Sequence, residues 1–264
     1  MMARRKEENG KASALIVQRP FRSPHHTVTD VALVGGGSNP QPGEISLAHN
    51  GVLFLDELPE YKRSALEVMR QPLEDRHICV TRAKLSVDYP ASFMLVAAMN
   101  PCPCGHYGEN NPAHPCTCTP AQIHRYLSRI SGPLLDRIDI QCDIQPVPYS
   151  LLKDAQPSES SATMRERVIK AREIQKNRFI SYNATAHSPI HCNAQMTPKM
   201  VREYCKLSDE CDRLLAFAME KMGLSARAYD RILKVARTIA DLAQSTEICP
   251  PHLLEAINYR TLDK

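Results

Sequence analysis

The chain has 264 residues, with 33 Lys and Arg against 29 Asp and Glu, for a formal charge of +4. Hydrophobic residues make up 43% and charged residues 23%, which excludes a mostly disordered chain. No apolar run approaches the about 20 residues that a membrane-spanning helix needs.

The first ten residues, MMARRKEENG, are charged, and no apolar core follows them. No secretory signal is therefore expected, and the expected location is cytoplasmic. The chain turns apolar at Ala14–Val17. Residues 20–50 are rich in Pro, Gly and His and read as loops around short elements. Val52–Leu55 is an unbroken apolar run, as expected of a strand buried on both faces of a parallel sheet. Residues 60–75 read as a helix with Ala65, Leu66, Met69 and Leu73 at helical spacing. Residues 77–90 alternate in part and read as a β-hairpin. Residues 93–98 read as a second buried strand, 121–130 as a helix and Ile138–Ile144 as a third strand. Residues 154–162 form a polar linker, after which the pattern is helical. A basic helix is expected over 163–178, followed by helices at 198–206, 208–222, 225–243 and 250–260. In 225–243, Ile232, Val235, Ala236, Ile239, Leu242 and Ala243 share a face. An α/β half is thus followed by an all-helical half.

Four short patterns could carry chemistry. Gly51-Val52-Leu53-Phe54-Leu55-Asp56-Glu57 places two carboxylates at the carboxyl end of a buried strand, where open α/β sheets bind ligands. In nucleoside triphosphatases the first such acid holds Mg²⁺ and the second polarises the attacking water. Read alone, the pattern is more simply a strand ending in a solvated acidic turn. Asn100 ends the second strand run and could hold the same water. Arg137, just before the third strand run, could reach a phosphate of a neighbouring subunit. Arg227 sits in the first turn of the most amphipathic helix.

Their order and the blocks around them supply what each lacks alone. RPFRSPHHT (19–27), PGEISLAHNGVLFLDELPE (42–60), AAMNPCPCG (97–105), RYLSRISGPLLDRID (125–139) and SARAYDRILKVARTIADL (225–242) resemble the magnesium-chelatase-like branch of the AAA+ ATPases, within its ComM/YifB group. The resemblance runs from about residue 14 to the carboxyl terminus. It implies an α/β AAA+ P-loop NTPase core followed by an all-α lid. The implied organisation is an amino-terminal extension (1–19), a partial nucleotide domain (20–150), a linker with the basic helix (151–190) and a helical lid (191–264).

The resemblance also assigns roles. Asp56 and Glu57 match the Walker B pair, as Mg²⁺ ligand and water activator. Asn100 matches sensor 1, Arg137 an arginine finger acting in trans, and Arg227 the nucleotide-binding sensor 2 of the lid. The hairpin near 77–90 and the loop near 35–50 are similar to insertions that face the central pore in related motors. The implied cofactors are ATP and Mg²⁺, and the implied partners are further copies in a ring, expected to be a hexamer, and DNA. ATP-driven DNA remodelling of the branch-migration type is the implied activity. A chelatase-type metal-insertion subunit and a non-catalytic interaction module stay open beside it.

One departure stands out. The phosphate-cradling string G-x-x-x-x-G-K-[ST] does not occur. In the family it lies upstream of the RPFRSPHHT block. The only glycine triplet, Gly35-Gly36-Gly37, runs into Ser38-Asn39-Pro40 and reads as a loop. The expectation is a carboxyl-terminal part of a longer protein that alone hydrolyses ATP poorly or not at all.

Of ten cysteines, four fall within 17 residues, as Cys102-Pro103-Cys104 and Cys116-Thr117-Cys118. Two close thiolate pairs suit tetrahedral Zn²⁺. The intervening HYGENNPAHP is too polar to bury them as core. A structural zinc is the expected occupant, with an iron–sulfur cluster or free redox-active thiols as the other readings. The remaining six cysteines are expected in the core. His25 and His26 have no further ligand at metal spacing nearby, so a loop role is expected. The basic helix could face DNA, but reads more simply as a solvated face.

Overall fold

The structure is a computed structural model that describes residues 18–37, 39–82, 85–108, 114–144, 147 and 158–260. The apolar stretch 14–17 and residues 154–157 of the linker lie outside the described residues. The chain divides into two compact units, 1–137 and 138–264.

In chain order the first unit contains β1 (Phe21–Arg22), α1 (Asp30–Val34), β2 (Gly35–Gly36), β3 (Gln41–Pro42), α2 (Glu44–Leu47) and β4 (Val52–Leu55). A 3₁₀ turn (Leu58–Glu60), α3 (Arg63–Val68), α4 (Arg70–Asp75), β5 (His77–Arg82), β6 (Leu85–Pro90), β7 (Met94–Ala97), α5 (Pro120–Leu127) and α6 (Gly132–Leu135) follow. A parallel sheet runs in the order β1-β4-β7. Leu53 and Leu55 point to one face, are fully buried, and join Leu33, Ile45, Leu66, Met69 and Leu134 in one core. Phe21, Val52, Phe54, Met94 and Val96 share the other face by register. Burial on both faces is expected of Val52–Leu55, and the 93–98 run reads as a second buried strand, yet among the described residues only the Leu53–Leu55 face is covered and no residue of β7 is buried. Phe21 is 65% and Met94 60% exposed.

β1 lies in the segment that reads as loop. It can join the sheet because residue 51 is glycine: a Cβ there would stand 1.9 Å from the Pro20 carbonyl oxygen. The helix expected over 60–75 is broken between Val68 and Arg70. Pro72 has no N–H to bond the Val68 carbonyl and its ring crowds it. The hairpin forms as expected, β5 pairing with β6 from His77↔Pro90 to Ile78↔Tyr89 and onward. The glycine triplet is no phosphate cradle. Gly35 pairs with Pro42 and Gly36 with Gln41, and Gly35 has φ +109°, with no room for a side chain against the Gln41 carbonyl.

The second unit contains α7 (Ser161–Arg178), α8 (Ile180–Asn183), a 3₁₀ turn (Asn193–Gln195), α9 (Pro198–Tyr204), α10 (Asp209–Met222), α11 (Ala226–Leu242) and α12 (Pro250–Asn258). The stretch Ile138–Ile144 belongs to this unit and is not a strand, contrary to its apolar pattern. Its polar groups are met by the helices: Gln141 N–H donates to the Tyr259 carbonyl and the Ile138 carbonyl accepts from Arg260, both at the end of α12, and Asp139 pairs with Arg231 of α11.

The core of this unit gathers Phe179, Cys205, Cys211, Leu215, Ile232, Leu233, Ala236, Ala240, Leu253 and Ile257. The buried face of α11 is turned from the expected one. Leu242 is 36% exposed, whereas Arg237 and Asp241 are buried. Asp241 holds both the α11 guanidinium of Arg237 (3.0 Å) and the α7 guanidinium of Arg178, and accepts from Asn193 Nδ2 (2.8 Å). A shared buried carboxylate thus replaces an apolar seam, with its charge met from three elements. Of the six cysteines assigned to the core, only Cys205 and Cys211 are buried; Cys79, Cys142 and Cys249 are exposed and Cys192 is half-buried. The basic helix α7 buries only Ala171 and Gln175, so most of its surface is solvated.

Candidate functional site

The register of the parallel sheet brings three segments to one edge. β4 ends at Leu55, which is paired with Ala97, the last residue of β7. Ala98 N–H donates to the Leu55 carbonyl and Leu58 N–H to the Ala98 carbonyl, both at 3.0 Å. Asp56 and Glu57 therefore leave the sheet beside the segment that leads to Asn100. β1 runs parallel on the other side, so the loop Ser23–Thr27 emerges at the same edge.

Asp56 and Glu57 are both exposed. The Asp56 Oδ1 atom accepts the Glu57 N–H at 2.9 Å, which sets the turn between them. Glu57 has φ +52° and ψ +48°, a left-handed backbone that costs a residue with a side chain about 1 kcal/mol or more. That turn swings its carboxylate across to the β1 loop, where Oε2 lies 3.1 Å from His26 Nδ1. The His26 ring lies 4.0 Å from the His25 ring, centre to centre, and is edge-on to Tyr61. Tyr61 is 3% exposed and donates to the Pro24 carbonyl at 2.5 Å. Burial raises the Tyr61 pKa, and the Asp56 and Glu57 charges add to the rise, so the phenol stays a donor.

His26 and Tyr61 are the residues that linear spacing could not find. His26 had no ligand near it in sequence; its partner is a carboxylate 31 positions on, reached only because β1 and β4 pair.

Asn100 is exposed beyond β7. Its main chain hydrogen-bonds the phenol of Tyr126, whose pKa is raised mainly by burial. Arg137, in the same unit, is 7% exposed. Its Nη2 lies 2.9 Å from Glu74 Oε1 and its Nη1 donates to the Pro133 carbonyl. It borders an open cavity of ≈ 420 Å³ with Glu67, Arg70, Glu74 and Asp75. Reaching a phosphate on another chain would require the guanidinium to leave Glu74. Arg227 stands exposed in the first turn of α11, which Ser225 caps by accepting the Ala228 N–H.

The four clustered cysteines converge two residues beyond Asn100. The Sγ atoms of Cys102 and Cys104 are 3.3 Å apart, those of Cys102 and Cys116 3.8 Å, and those of Cys104 and Cys116 3.6 Å. With Cys118 included, all four lie within 4.8 Å of one another. A tetrahedron with zinc–sulfur bonds of about 2.3 Å has sulfur–sulfur edges of about 3.8 Å, so the set is compatible with zinc. Backbone N–H groups of His106 and Thr117 pull the Cys104 thiol down to about 5. Burial and the neighbouring thiols push Cys118 up to about 12. A cation is what would allow all four to ionise together.

The family model "Magnesium chelatase, subunit ChlI" matches residues 3–152, and "Magnesium chelatase, subunit ChlI C-terminal" matches residues 158–260. The "Uncharacterized protein YifB" of Escherichia coli K12 is 50% identical over 248 residues, covering 94% of this chain and 46% of YifB. The "Competence protein ComM" of Haemophilus influenzae is 50% identical over 247 residues, covering 93% of this chain and 46% of ComM. The chloroplastic magnesium-chelatase subunit ChlI of Chlamydomonas reinhardtii is 24% identical over 155 residues, covering 58% of this chain and 35% of that protein. The chain spans about half the length of the bacterial relatives. Among the described residues no helix is long and apolar enough to cross a membrane.

Proposed function

The chain belongs to the magnesium chelatase ChlI family of AAA+ proteins, and on that premise we propose that it is part of an ATP-driven motor that remodels DNA. The carrying observation is the Asp56-Glu57 pair at the carboxyl end of β4, beside the segment to Asn100 and against His26. Hard acidic oxygens at a sheet edge suit Mg²⁺, and the exposed Asp56 is the residue to hold it, usually through water. When bound, the ion would neutralise charge on the phosphates. Glu57 is the proton acceptor for the attacking water, and Asn100 orients that water by its amide. Arg137, once it leaves Glu74, is the finger for a neighbouring copy, and Arg227 is the sensor 2 arginine of the lid. Self-association into a ring, of which a hexamer is the expected form, follows from an arginine that works in trans. The Cys102–Cys118 cluster is a structural zinc staple behind Asn100.

DNA rather than a porphyrin is favoured as the substrate because the 50% identity is to YifB and to a protein named for competence, against 24% to a chloroplast chelatase subunit. The test is a graft: this chain replaces the matching part of Escherichia coli YifB, and ATP hydrolysis is followed with and without branched DNA. DNA-stimulated hydrolysis by the graft is the expected result. Hydrolysis that ignores DNA but responds to a porphyrin and Mg²⁺ would move the assignment to metal insertion.

A further inference from the structure

The chain's formal charge of +4 is carried by one helix. α7 holds six Lys and Arg and two Glu, and without them the chain's 33 basic and 29 acidic residues fall to 27 of each. Two of the six cations are engaged inside the helical unit: Arg178 pairs with the buried Asp241, and Arg167 with Glu159 at 2.9 Å. Arg165, Lys170, Arg172 and Lys176 stand exposed. Positions 165, 169, 172 and 176 are four, three and four apart, so Arg165, Ile169, Arg172 and Lys176 form a stripe about 16 Å long on one side of α7. Ile169, Arg172 and Lys176 are also one wall of an open groove of ≈ 280 Å³, bordered by Glu173. Its other wall is Asn183, Ile190 and His191. That wall is fixed by its own hydrogen bonds. Asn183 Nδ2 donates to the Ile190 carbonyl at 2.8 Å, its Oδ1 accepts the Ile190 N–H at 2.9 Å, and the His191 N–H donates to Gln195 Oε1 at 2.5 Å.

We propose that this groove and the Arg165–Lys176 stripe hold the sugar-phosphate backbone of a DNA strand, whatever its sequence. With the rest of the chain balanced in charge, the field that draws a polyanion points to α7. A DNA strand presents a charge every about 3.4 Å of its axis, so in any register a phosphate lies near each of three cations strung over about 16 Å. An acidic peptide would have to place its carboxylates to match. Arg172 offers a phosphate a planar pair of N–H groups, and Lys176, one turn on, offers the next a point charge. Ile169 and Ile190, 48% and 9% exposed, give the sugar an apolar floor. The choice of DNA as the polyanion rests on the function proposed above. The place of contact rests on the charge and the groove.

The test is fluorescence anisotropy of a labelled duplex of mixed sequence, titrated with the purified chain without ATP. Three phosphate contacts predict an affinity that falls with about the 2.7 power of salt, about fortyfold between about 50 and 200 mM. Arg165→Gln, Arg172→Gln and Lys176→Gln together alter exposed side chains, so the chain still folds. This triple variant should weaken binding at low salt by about a hundredfold and flatten the salt slope by about 2 to 3. Lys199→Gln, Lys206→Gln and Arg213→Gln remove the same charge from other exposed positions of the unit and should cost less than about threefold. A control that weakens binding as much as the stripe variant overturns the proposal, because net charge alone is then being read. So does a lack of DNA binding at about 50 mM salt. Tighter binding to polyglutamate than to DNA makes an acidic polypeptide the occupant and also overturns it. None of these readouts uses ATP. Stripe-dependent binding beside a graft whose hydrolysis ignores DNA removes the motor reading and keeps this surface, and the reverse pair removes this surface alone.

Discussion

Gly51→Ala perturbs the hinge on which the site depends. The new Cβ would meet the Pro20 carbonyl oxygen at 1.9 Å and Pro20 Cγ at 2.7 Å. The first contact is more than about 1 Å closer than a carbon and an oxygen ordinarily approach. Both partners are constrained, since the Val52 N–H donates to that same Pro20 carbonyl at 2.9 Å and β1 continues into Phe21↔Val52 pairing. The strain therefore falls on the β1–β4 seam. Overpacking of this kind costs about 1–3 kcal/mol, and the lost backbone bond adds about 1 kcal/mol. For a unit of this size, about 3 kcal/mol lowers the unfolding midpoint by roughly 10 °C. Scanning calorimetry reads the midpoint, and imidazole NMR reads whether His26 leaves Glu57. Both should change together. A midpoint within about 2 °C of the parent, with the His26 resonances in place, would refute the claim that glycine at 51 lets β1 reach β4 and carry His26 to the acid pair.

The second unit and the cysteine cluster can be tested the same way. Asp241→Asn keeps the shape but leaves Arg178 and Arg237 without their shared carboxylate, so urea unfolding should show a loss of about 3–5 kcal/mol in the helical unit. A loss under about 1 kcal/mol would mean the network is solvated in practice. The purified chain should carry about one zinc per molecule by elemental analysis, because four thiolates at these separations fill a tetrahedron. Cys104→Ser, or a strong chelator, should remove the metal and lower the midpoint of the first unit. Recovery of neither zinc nor iron would reject the staple.

Elements whose residues are periodic over several turns were legible from the sequence, as were strands marked by four apolar residues in a row. α10, α11, α12, β4, β7 and the β5–β6 hairpin all fall where the pattern put them. β1 was not legible, because two residues carry no period and its place is set by a glycine 30 positions away. Ile138–Ile144 had the composition of a strand, but strand formation needs a neighbour, and its backbone groups found helix ends instead. The buried face of α11 differs from the expected one because hydrophobicity ranks Arg237 and Asp241 outside, whereas mutual pairing with Arg178 makes their burial tolerable. At the site, the acids were readable as a strand ending in two carboxylates. The contact of Glu57 with His26 exists only in three dimensions.

The most direct measurement of the central claim is single-turnover hydrolysis by the YifB graft carrying Glu57→Gln. The amide keeps the shape and can still accept a hydrogen bond from His26, but it cannot take a proton from water. Hydrolysis should fall by about a hundredfold or more while Mg²⁺–ATP still binds with nearly parental affinity. Hydrolysis at the parental rate would contradict the assignment of Glu57 as the proton acceptor, and with it the reading of this sheet edge as the catalytic one.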